Sequence, residues 1–127
     1  MGVMLPPRMD LKKHSKTIIQ ESDFMARITK RLTPFKGYFK SVTGPGRSGS
    51  ICAVYASYFL NIPFIPLFGS FPEKVWPVLI IDTAFHSGRT LRKAKKKIKA
   101  KAHCVALYHE PPIVHFWYEQ ILTPRPR

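Results

Sequence analysis

The feature that most constrains the fold of this chain is an apolar run over residues 77–81 that ends at an acidic residue, Asp82. Its valine, leucine and isoleucine content is typical of a buried parallel strand. A hydroxyl- and glycine-containing loop over residues 83–90 follows the run. Beyond the loop, apolar residues recur three or four apart from Leu91 to Ala102, which predicts an amphipathic helix. A strand, a short loop and a helix in this order indicate one unit of an α/β domain.

The rest of the chain repeats this alternation. Apolar residues at helical spacing predict helices over residues 23–33, with Ser22 as N-cap, and over residues 50–60. Short apolar segments bounded by turn residues predict strands over residues 17–20, 37–42, 64–68, 103–108 and 113–122. Together these elements predict an α/β fold with a mostly parallel sheet and helices on both faces. Ligands of such sheets bind at the carboxyl ends of the strands.

Length and composition predict a single domain. The 127 residues are 45% hydrophobic, which is enough for one packed core, and we place the domain at residues 17–122. Residues 1–16 and 123–127 are predicted to be flexible basic tails. The longest apolar stretch, residues 51–68, is interrupted by polar residues and prolines, which argues against a membrane span. Because no segment resembles a signal peptide, we expect a cytoplasmic protein.

The charge balance is strongly basic, with 21 lysines and arginines against 7 acids and a formal net charge of +14. Such a surplus favours binding to any polyanion, whether nucleic acid, an anionic membrane or a phosphorylated small molecule. Charge alone does not choose among them. The two cysteines, Cys52 and Cys104, lie in apolar surroundings without metal-type spacing, and are expected to be reduced core residues.

The loop after Asp82 has the properties of a phosphate site. At the start of a helix, free backbone N–H groups and the helix dipole converge on one point. Ser87 and Thr90 can add hydroxyl hydrogen bonds, Gly88 allows close approach of the backbone, and Arg89 can neutralise negative charge. We therefore predict that residues 87–90 bind a phosphate group. The simpler alternative for Asp82 is a helix-capping acid.

These residues resemble the signature of the type I phosphoribosyltransferases, in which an apolar strand leads to two adjacent acids and then to Thr-Gly-x-Thr. Asp82, Gly88 and Thr90 match it, Ser87 replaces the first threonine, and Thr83 stands at the second acid. The resemblance implies that residues 82 and 83 contact the ribose hydroxyls of phosphoribosyl pyrophosphate, and that Asp82 contacts Mg²⁺. The signature in this chain is a degenerate form, and it is most similar to that of the xanthine-guanine and hypoxanthine enzymes.

A second loop, over residues 43–49, supports the same resemblance because it lies one βαβ unit earlier, between a predicted strand and a predicted helix. Members of the family place their pyrophosphate-binding loop there. The resemblance implies that Arg47 and nearby backbone amides bind the pyrophosphate, next to a non-proline cis peptide that precedes Arg47. The alternative for Arg47 is a solvated loop arginine. The residues assigned to this subsite are Gly46, Arg47, Ser48 and Gly49.

Further residues are candidates for contact with a base. His86 stands where purine-using relatives carry an acid, and a histidine could transfer a proton there; otherwise it is an ordinary loop histidine. By resemblance, His109 or Glu110 takes the place of a lysine that contacts the purine in relatives. Phe116 and Trp117 could stack on a base, although aromatic residues of this kind are more often part of a core or an interface.

The predicted helix after the phosphate loop carries a dense row of cations. Nucleic-acid binding through it and a plainly solvated helix face are both open interpretations. The basic residues of this segment are Arg92, Lys93, Lys95, Lys96, Lys97, Lys99 and Lys101.

Two functions follow from these features. The first is a magnesium-dependent phosphoribosyltransferase that uses phosphoribosyl pyrophosphate and a nucleobase, acting as a homodimer. The second is a regulator that keeps the fold, binds a nucleotide or nucleic acid, and has lost the chemistry. The loss of an acid at Thr83 and a hood loop reduced to residues 69–76 favour the second.

Overall fold

A computed structural model of the chain describes residues 3–4, 17–84, 89–108 and 114–118. Six strands and three α-helices are present in this part of the chain, together with 3₁₀ turns at Thr33–Phe35 and Glu73–Val75. In chain order these elements are β1 (Val3–Met4), β2 (Thr17–Ile19), α1 (Glu21–Leu32), β3 (Ser41–Thr43), α2 (Gly46–Leu60), β4 (Val78–Ala84), α3 (Arg89–Ile98), β5 (Ala102–Tyr108) and β6 (Val114–Phe116).

Four of the strands form one parallel sheet in the order β1, β5, β4, β3. Strand β4 lies in the middle, with Thr43 of β3 opposite Ile80 and Ala84 opposite Tyr108 of β5. All strands of this sheet therefore end at the same edge. Strands β2 and β6 pair in parallel as a separate small sheet.

The two faces of the main sheet are covered by different helices. Leu79 and Ile81 of β4 belong to a core shared with α1 and α2, whereas Val78 and Ile80 belong to a second core with α3. This strict alternation explains why the strand reads as a continuous apolar run, since both faces are buried. The predicted α/β fold with helices on both faces of a parallel sheet is confirmed.

The small sheet is held to α1 and α2 by aromatic side chains. The ring of Phe24 in α1 contacts the rings of Tyr55, Phe116 and Trp117 in edge-on geometry, with centroids 5.3 to 5.8 Å apart. Such pairs contribute about 0.5–1.5 kcal/mol each beyond the area they bury. The two-stranded sheet of β2 and β6 is thus fixed by packing on α1 and α2.

Several element boundaries differ from the prediction for local reasons. Helix α1 begins after Gln20, whose backbone N–H donates to Asp23, so Ser22 lies inside the first turn and is not the N-cap. The strand predicted over residues 64–68 is reduced to one bridge between Phe64 and Val42, because Pro63 and Pro66 have no N–H to donate. Part of the segment predicted as a flexible tail, Val3–Met4, pairs with β5.

Both cysteines are buried and free, in agreement with the sequence. Cys52 lies in the core on the α2 face and Cys104 in the core on the α3 face. Within the described ranges, none of the helices has the length and apolar content needed to cross a membrane.

Candidate functional site

The two strand-to-helix connections of interest open at the carboxyl edge of the main sheet. Strands β3 and β4 are parallel neighbours that end at Thr43 and Ala84, and the helices that follow begin at Gly46 and Arg89. Because neighbouring parallel strands end side by side, the amino ends of both helices face the same edge. The sequence prediction that the two loops are adjacent agrees with this topology.

A cavity of about 260 Å³ joins the two connections. Pro45, immediately before α2, and Thr90, in the first turn of α3, both line it. Lys93 and Lys97 add two positive charges to its wall. The remaining lining residues are Leu67 and Ala94, so the cavity combines an apolar floor with cationic and hydroxyl groups. That composition suits a phosphorylated ligand.

The beginning of α2 is built from glycines with separate geometric roles. Gly46 has a φ of +67°, in the left-handed region that glycine adopts without strain. Gly44 is needed for space, because a Cβ at this position would overlap the carbonyl of Gly49 and lie 2.7 Å from the carbonyl oxygen of Ile81. The loop therefore passes directly against β4, which holds the start of α2 at the sheet edge.

The first turn of α2 leaves donors available to an anion. The N–H of Gly49 bonds to the Pro45 carbonyl at 3.1 Å, which closes the first helical turn. The N-cap, Pro45, makes no side-chain capping hydrogen bond, and the first turn contains no acid. An uncapped helix start with its dipole unopposed favours negative charge. Arg47 is exposed in this turn.

Two predictions for this loop need correction. The loop over residues 43–49 was expected to contain Arg47, Ser48 and Gly49, but α2 already begins at Gly46 and includes them. The peptide before Arg47 is not cis, since the one cis peptide bond in the described residues is Trp76–Pro77. The physical reason is that a regular helical turn requires trans peptides, and the Gly44 to Gly49 contact starts the helix early.

Ser48, assigned to the ligand site from sequence, has a protein partner. Its hydroxyl lies 2.8 Å from the Tyr118 hydroxyl, which joins α2 to the small sheet. Gly49 is buried, and its lack of a side chain leaves room for Pro45 and Gly44. Tyr118 is not among the predicted site residues, and its 70-residue separation from Ser48 leaves no local sequence signal.

One buried polar atom at this edge lacks a partner. The hydroxyl oxygen of Thr43, at the end of β3, is buried, and it neither accepts nor donates a hydrogen bond within the described residues. Leaving such a group without a partner costs about 1–3 kcal/mol. A polar ligand at the sheet edge is one way of satisfying it.

Asp82 lies at the end of β4 and is partly buried. Its Oδ1 accepts a hydrogen bond of 2.7 Å from the Thr83 N–H. Burial raises the pKa of Asp82 to about 6, and hydrogen bonds from the Thr83 backbone and hydroxyl oppose that rise. Thr83 itself is only 6% exposed. Burial, followed by the charge of Asp82, also raises the pKa of the Cys52 thiol well above its usual value, which keeps it neutral.

The raised pKa of Asp82 predicts a pH-dependent stability. Since the folded-state pKa of about 6 exceeds the ordinary value of 3.8, the native state binds this proton more tightly than the unfolded state. The resulting stabilisation is complete below about pH 4 and is lost as the pH rises to about 6. Asp82→Asn should remove this dependence. Urea unfolding measures this effect: between pH 4 and 7, the free energy of unfolding of the variant should rise by about 2 kcal/mol relative to that of the native chain. A difference between the two proteins that does not change with pH would contradict the raised pKa of Asp82.

The predicted base-contacting residues occupy different environments. Phe116 is buried at 5% exposure, with its ring stacked 5.4 Å from that of Tyr118 and edge-on to Tyr108. This position favours the alternative of a core aromatic residue. Trp117 is partly buried against Phe24. The remaining predicted residues, His86, Ser87, Gly88 and His109, lie outside the described residues.

A second cavity, of about 300 Å³, lies where β5 ends beside α1. The Arg27 guanidinium is 4.7 Å from the centre of the Tyr108 ring, and both residues line the cavity with Asp23 and Lys30. Burial raises the pKa of Tyr108, and Arg27 opposes the rise. Neither Arg27 nor Tyr108 is among the sequence candidates, because their association depends on the packing of α1 against β5.

A metal ion at the sheet edge would need ligands from the side chains there. No group of three or more histidine, cysteine, aspartate or glutamate side chains that could hold a metal ion occurs within the described ranges. Asp82 is the one carboxylate between Glu73 and Glu110. Magnesium commonly binds one or two carboxylates plus substrate phosphates and keeps several waters. Asp82 therefore fits an ion shared with a bound phosphate ligand, and does not form a protein-only metal site.

A parallel sheet with helices on both faces, and two helix starts meeting at its carboxyl edge, is the arrangement of nucleotide- and sugar-phosphate-binding α/β proteins. The chain has the type I phosphoribosyltransferase fold. Solved purine phosphoribosyltransferases share it. No protein-family model matches the sequence, and no curated protein matches it.

The similarities extend over most of the chain. The Pyrococcus horikoshii purine phosphoribosyltransferase is 20% identical with a TM-score of 0.66, over 82% of this chain and 94% of that one. The Helicobacter pylori xanthine-guanine-hypoxanthine enzyme is 13% identical with a TM-score of 0.67, over 86% and 95%. The Thermoanaerobacter pseudethanolicus adenine phosphoribosyltransferase is 15% identical with a TM-score of 0.54, over 72% of each chain.

Proposed function

We propose that this chain transfers ribose 5-phosphate from phosphoribosyl pyrophosphate to a nitrogenous base of the purine class. The observation that carries the proposal is the cavity of about 260 Å³ to which both strand-to-helix connections contribute, through Pro45 and Thr90. A ligand with a phosphate at one end and a pyrophosphate at the other needs two anion sites at one sheet edge. The names of the similar solved structures support the purine class.

Each of the predicted site residues has a proposed role in this reaction. The uncapped first turn of α2, with Arg47, would bind the pyrophosphate, and Ser87 to Thr90 with the start of α3 would bind the 5-phosphate. Asp82 would contact the ribose hydroxyls. Catalysis would come from orientation and from stabilisation of the positive charge that develops on the ribose as the pyrophosphate leaves.

Asp82 is also the proposed Mg²⁺ contact, shared with the pyrophosphate oxygens. When bound, the ion would neutralise charge on the leaving group. His86 is proposed as the group that exchanges a proton with the base, and His109 and Trp117 as its contacts. The homodimer and the cytoplasmic location also stay predictions.

The proposal is tested by pyrophosphate release. The full chain is incubated with phosphoribosyl pyrophosphate, Mg²⁺ and single bases: adenine, guanine, hypoxanthine, xanthine, uracil and orotate. We expect release that depends on a purine and is absent without a base. No release with any base, while calorimetry still detects binding of phosphoribosyl pyrophosphate, would overturn the transferase and leave a binding protein.

That binding protein is the second candidate, and one observation favours it. Thr83 replaces the second acid of the family signature and is buried, so this position offers no carboxylate to the ribose. A regulator of this kind would bind a nucleotide at the same cavity without turnover. The two candidates therefore share ligand binding and differ only in the release of pyrophosphate.

A further inference from the structure

Helix α3 presents a broad cationic surface on the face of the main sheet opposite to α1 and α2. Only Leu91 and Ala94 of this helix are buried, and they pack on β4 and β5. No acidic residue occurs between Asp82 and Glu110, so the helix has no acid on its own segment to offset its charge. The exposed cations of the helix and of the residues that follow it are Arg89, Arg92, Lys93, Lys96, Lys97, Lys99 and Lys101.

The field of this surface reaches the neighbouring strand. The pKa of His103 in β5 is lowered first by burial and then by the charges of Lys95 and Lys101. The ring of His103 lies against Tyr38 and Phe39 on the opposite face of the sheet, so the charge of these lysines acts through the sheet. A polyanion that approaches the α3 face from solution is attracted by its positive charge.

One side of α3 forms the wall of a groove, which is the cavity of about 260 Å³ described above. Thr90, Lys93 and Lys97 succeed one another at helical spacing along the wall of the cavity of about 260 Å³. From Thr90 to Lys97 the helix rises about 10 Å. Lys93 and Lys97 are separated by about 6 Å along the helix axis, so the groove offers two positive charges in succession. The groove is therefore longer than one phosphate group needs.

An exposed aromatic residue is the chain neighbour of one residue that lines this groove. Phe68 is 86% exposed, and it directly follows Leu67, which lines the cavity and packs in the α3 core. Exposure of so large an apolar side chain costs free energy unless something covers it. A positive groove for the backbone with an aromatic face for bases is the combination that binds single-stranded nucleic acid without sequence preference.

We propose that the α3 groove binds single-stranded nucleic acid, with the phosphate backbone along Lys93 and Lys97 and a base stacked on Phe68. The remaining cations of α3 supply long-range attraction. Because backbone contacts carry no sequence information and stacking on one ring tolerates every base, we expect little dependence on sequence. This activity goes beyond the proposed transfer reaction, although both use the cavity lined by Thr90, Lys93 and Lys97. It does not require Asp82, which does not line that cavity.

The test measures the fluorescence anisotropy of a labelled 12-nucleotide oligothymidylate with the full chain over a range of salt concentrations. For single strands, the slope of log affinity against log salt changes by about 0.7 for each phosphate contact. The variant Lys93→Gln with Lys97→Gln should therefore lower the slope by about 1.4 and weaken binding about 25-fold at 0.1 M salt. Phe68→Ala should weaken binding about tenfold and leave the slope unchanged.

Matched controls separate the groove from net charge and from exposed aromatic area. The control variant Lys30→Gln with Lys40→Gln also removes two positive charges, but from exposed positions outside this groove. Tyr58→Ala removes a ring that is 84% exposed on α2, on the other face of the sheet. Both controls should bind within about twofold of the native chain, because neither touches the groove. Asp82→Asn should bind the oligonucleotide normally and lose pyrophosphate release, which separates the two activities although they share one cavity.

Three results would overturn the proposal. Equal loss in the Lys93/Lys97 variant and the Lys30/Lys40 control would indicate a general charge effect. Tighter binding of a 12-base-pair duplex than of the single strand would indicate a duplex surface. Competition by inorganic polyphosphate at equal phosphate concentration, with Phe68→Ala unaffected, would indicate a polyanion site without base stacking.

Discussion

Replacing Gly44 with alanine is expected to lower the free energy of unfolding by at least about 3 kcal/mol, up to failure to fold. The added Cβ would overlap the Gly49 carbonyl and stand 2.7 Å from the carbonyl oxygen of Ile81. Both neighbours are backbone atoms, one in the first turn of α2 and one in β4, so no side chain can rotate away. Either the loop must leave the sheet edge or α2 must shift. Chemical denaturation followed by circular dichroism measures the loss.

Gly46→Ala and Gly37→Ala are the matched controls. A Cβ at either position meets no atom within 4 Å, although both glycines have positive φ angles, +67° and +83°. Each should therefore cost only about 1–2 kcal/mol, from backbone strain alone. A Gly44→Ala variant as stable as these controls would show that the loop does not pack against β4 as described.

Asp82→Asn is expected to reduce pyrophosphate release at least about 100-fold while leaving the fold intact. The change keeps the size of the side chain but removes the one carboxylate at the carboxyl end of β4. Since burial raises the pKa of Asp82 to about 6, the native enzyme should also lose activity as the pH falls below that value. The measurement is initial rate against pH for both proteins, with calorimetric binding of phosphoribosyl pyrophosphate beside it.

Glu73→Gln is the matched control, because Glu73 is exposed in the 3₁₀ turn before β4 and lines neither cavity. It should keep the native rate. Because Asp82→Asn should be more stable than the native chain near neutral pH, a loss of rate cannot be assigned to unfolding. Unchanged turnover in Asp82→Asn would contradict the role given to Asp82 in the reaction.

The elements that sequence predicted best are those whose signal is local. Strand β5 was expected within one residue of its observed bounds, and β4 and α3 were expected at the correct places in the chain, since continuous apolar runs and helical spacing are properties of neighbouring residues. The predicted far ends of β4 and α3 were wrong, because β4 continues past the apolar run to Ala84 and α3 ends at Ile98 and not at Ala102. The early start of α2 was not expected, because it depends on the close approach of Gly44 to Gly49 and to Ile81. The small sheet required pairing of Thr17–Ile19 with Val114–Phe116, almost a full chain length apart.

The same difference between local signals and contacts of distant residues applies to the candidate site. An anionic ligand could be predicted from residues 82–90 and 43–49, because glycine, hydroxyl and basic residues before a helix have local consequences. The hydrogen bond of Ser48 with Tyr118, and the burial of Phe116, could not be predicted. Both depend on how the chain from β6 to Tyr118 packs on α1 and α2, and each gives a predicted site residue contacts within the protein.

The sequence by itself determined the class of fold and supported the prediction of an anionic ligand, since the apolar run before Asp82, the loop after it and the surplus of lysine are composition and order along the chain. Only the tertiary structure decided that the two helix starts share one cavity with Lys93 and Lys97, and that Asp82 is buried enough for a pKa of about 6. The physical reason is that burial and close contact arise from residues that are distant in sequence, so no local pattern encodes them.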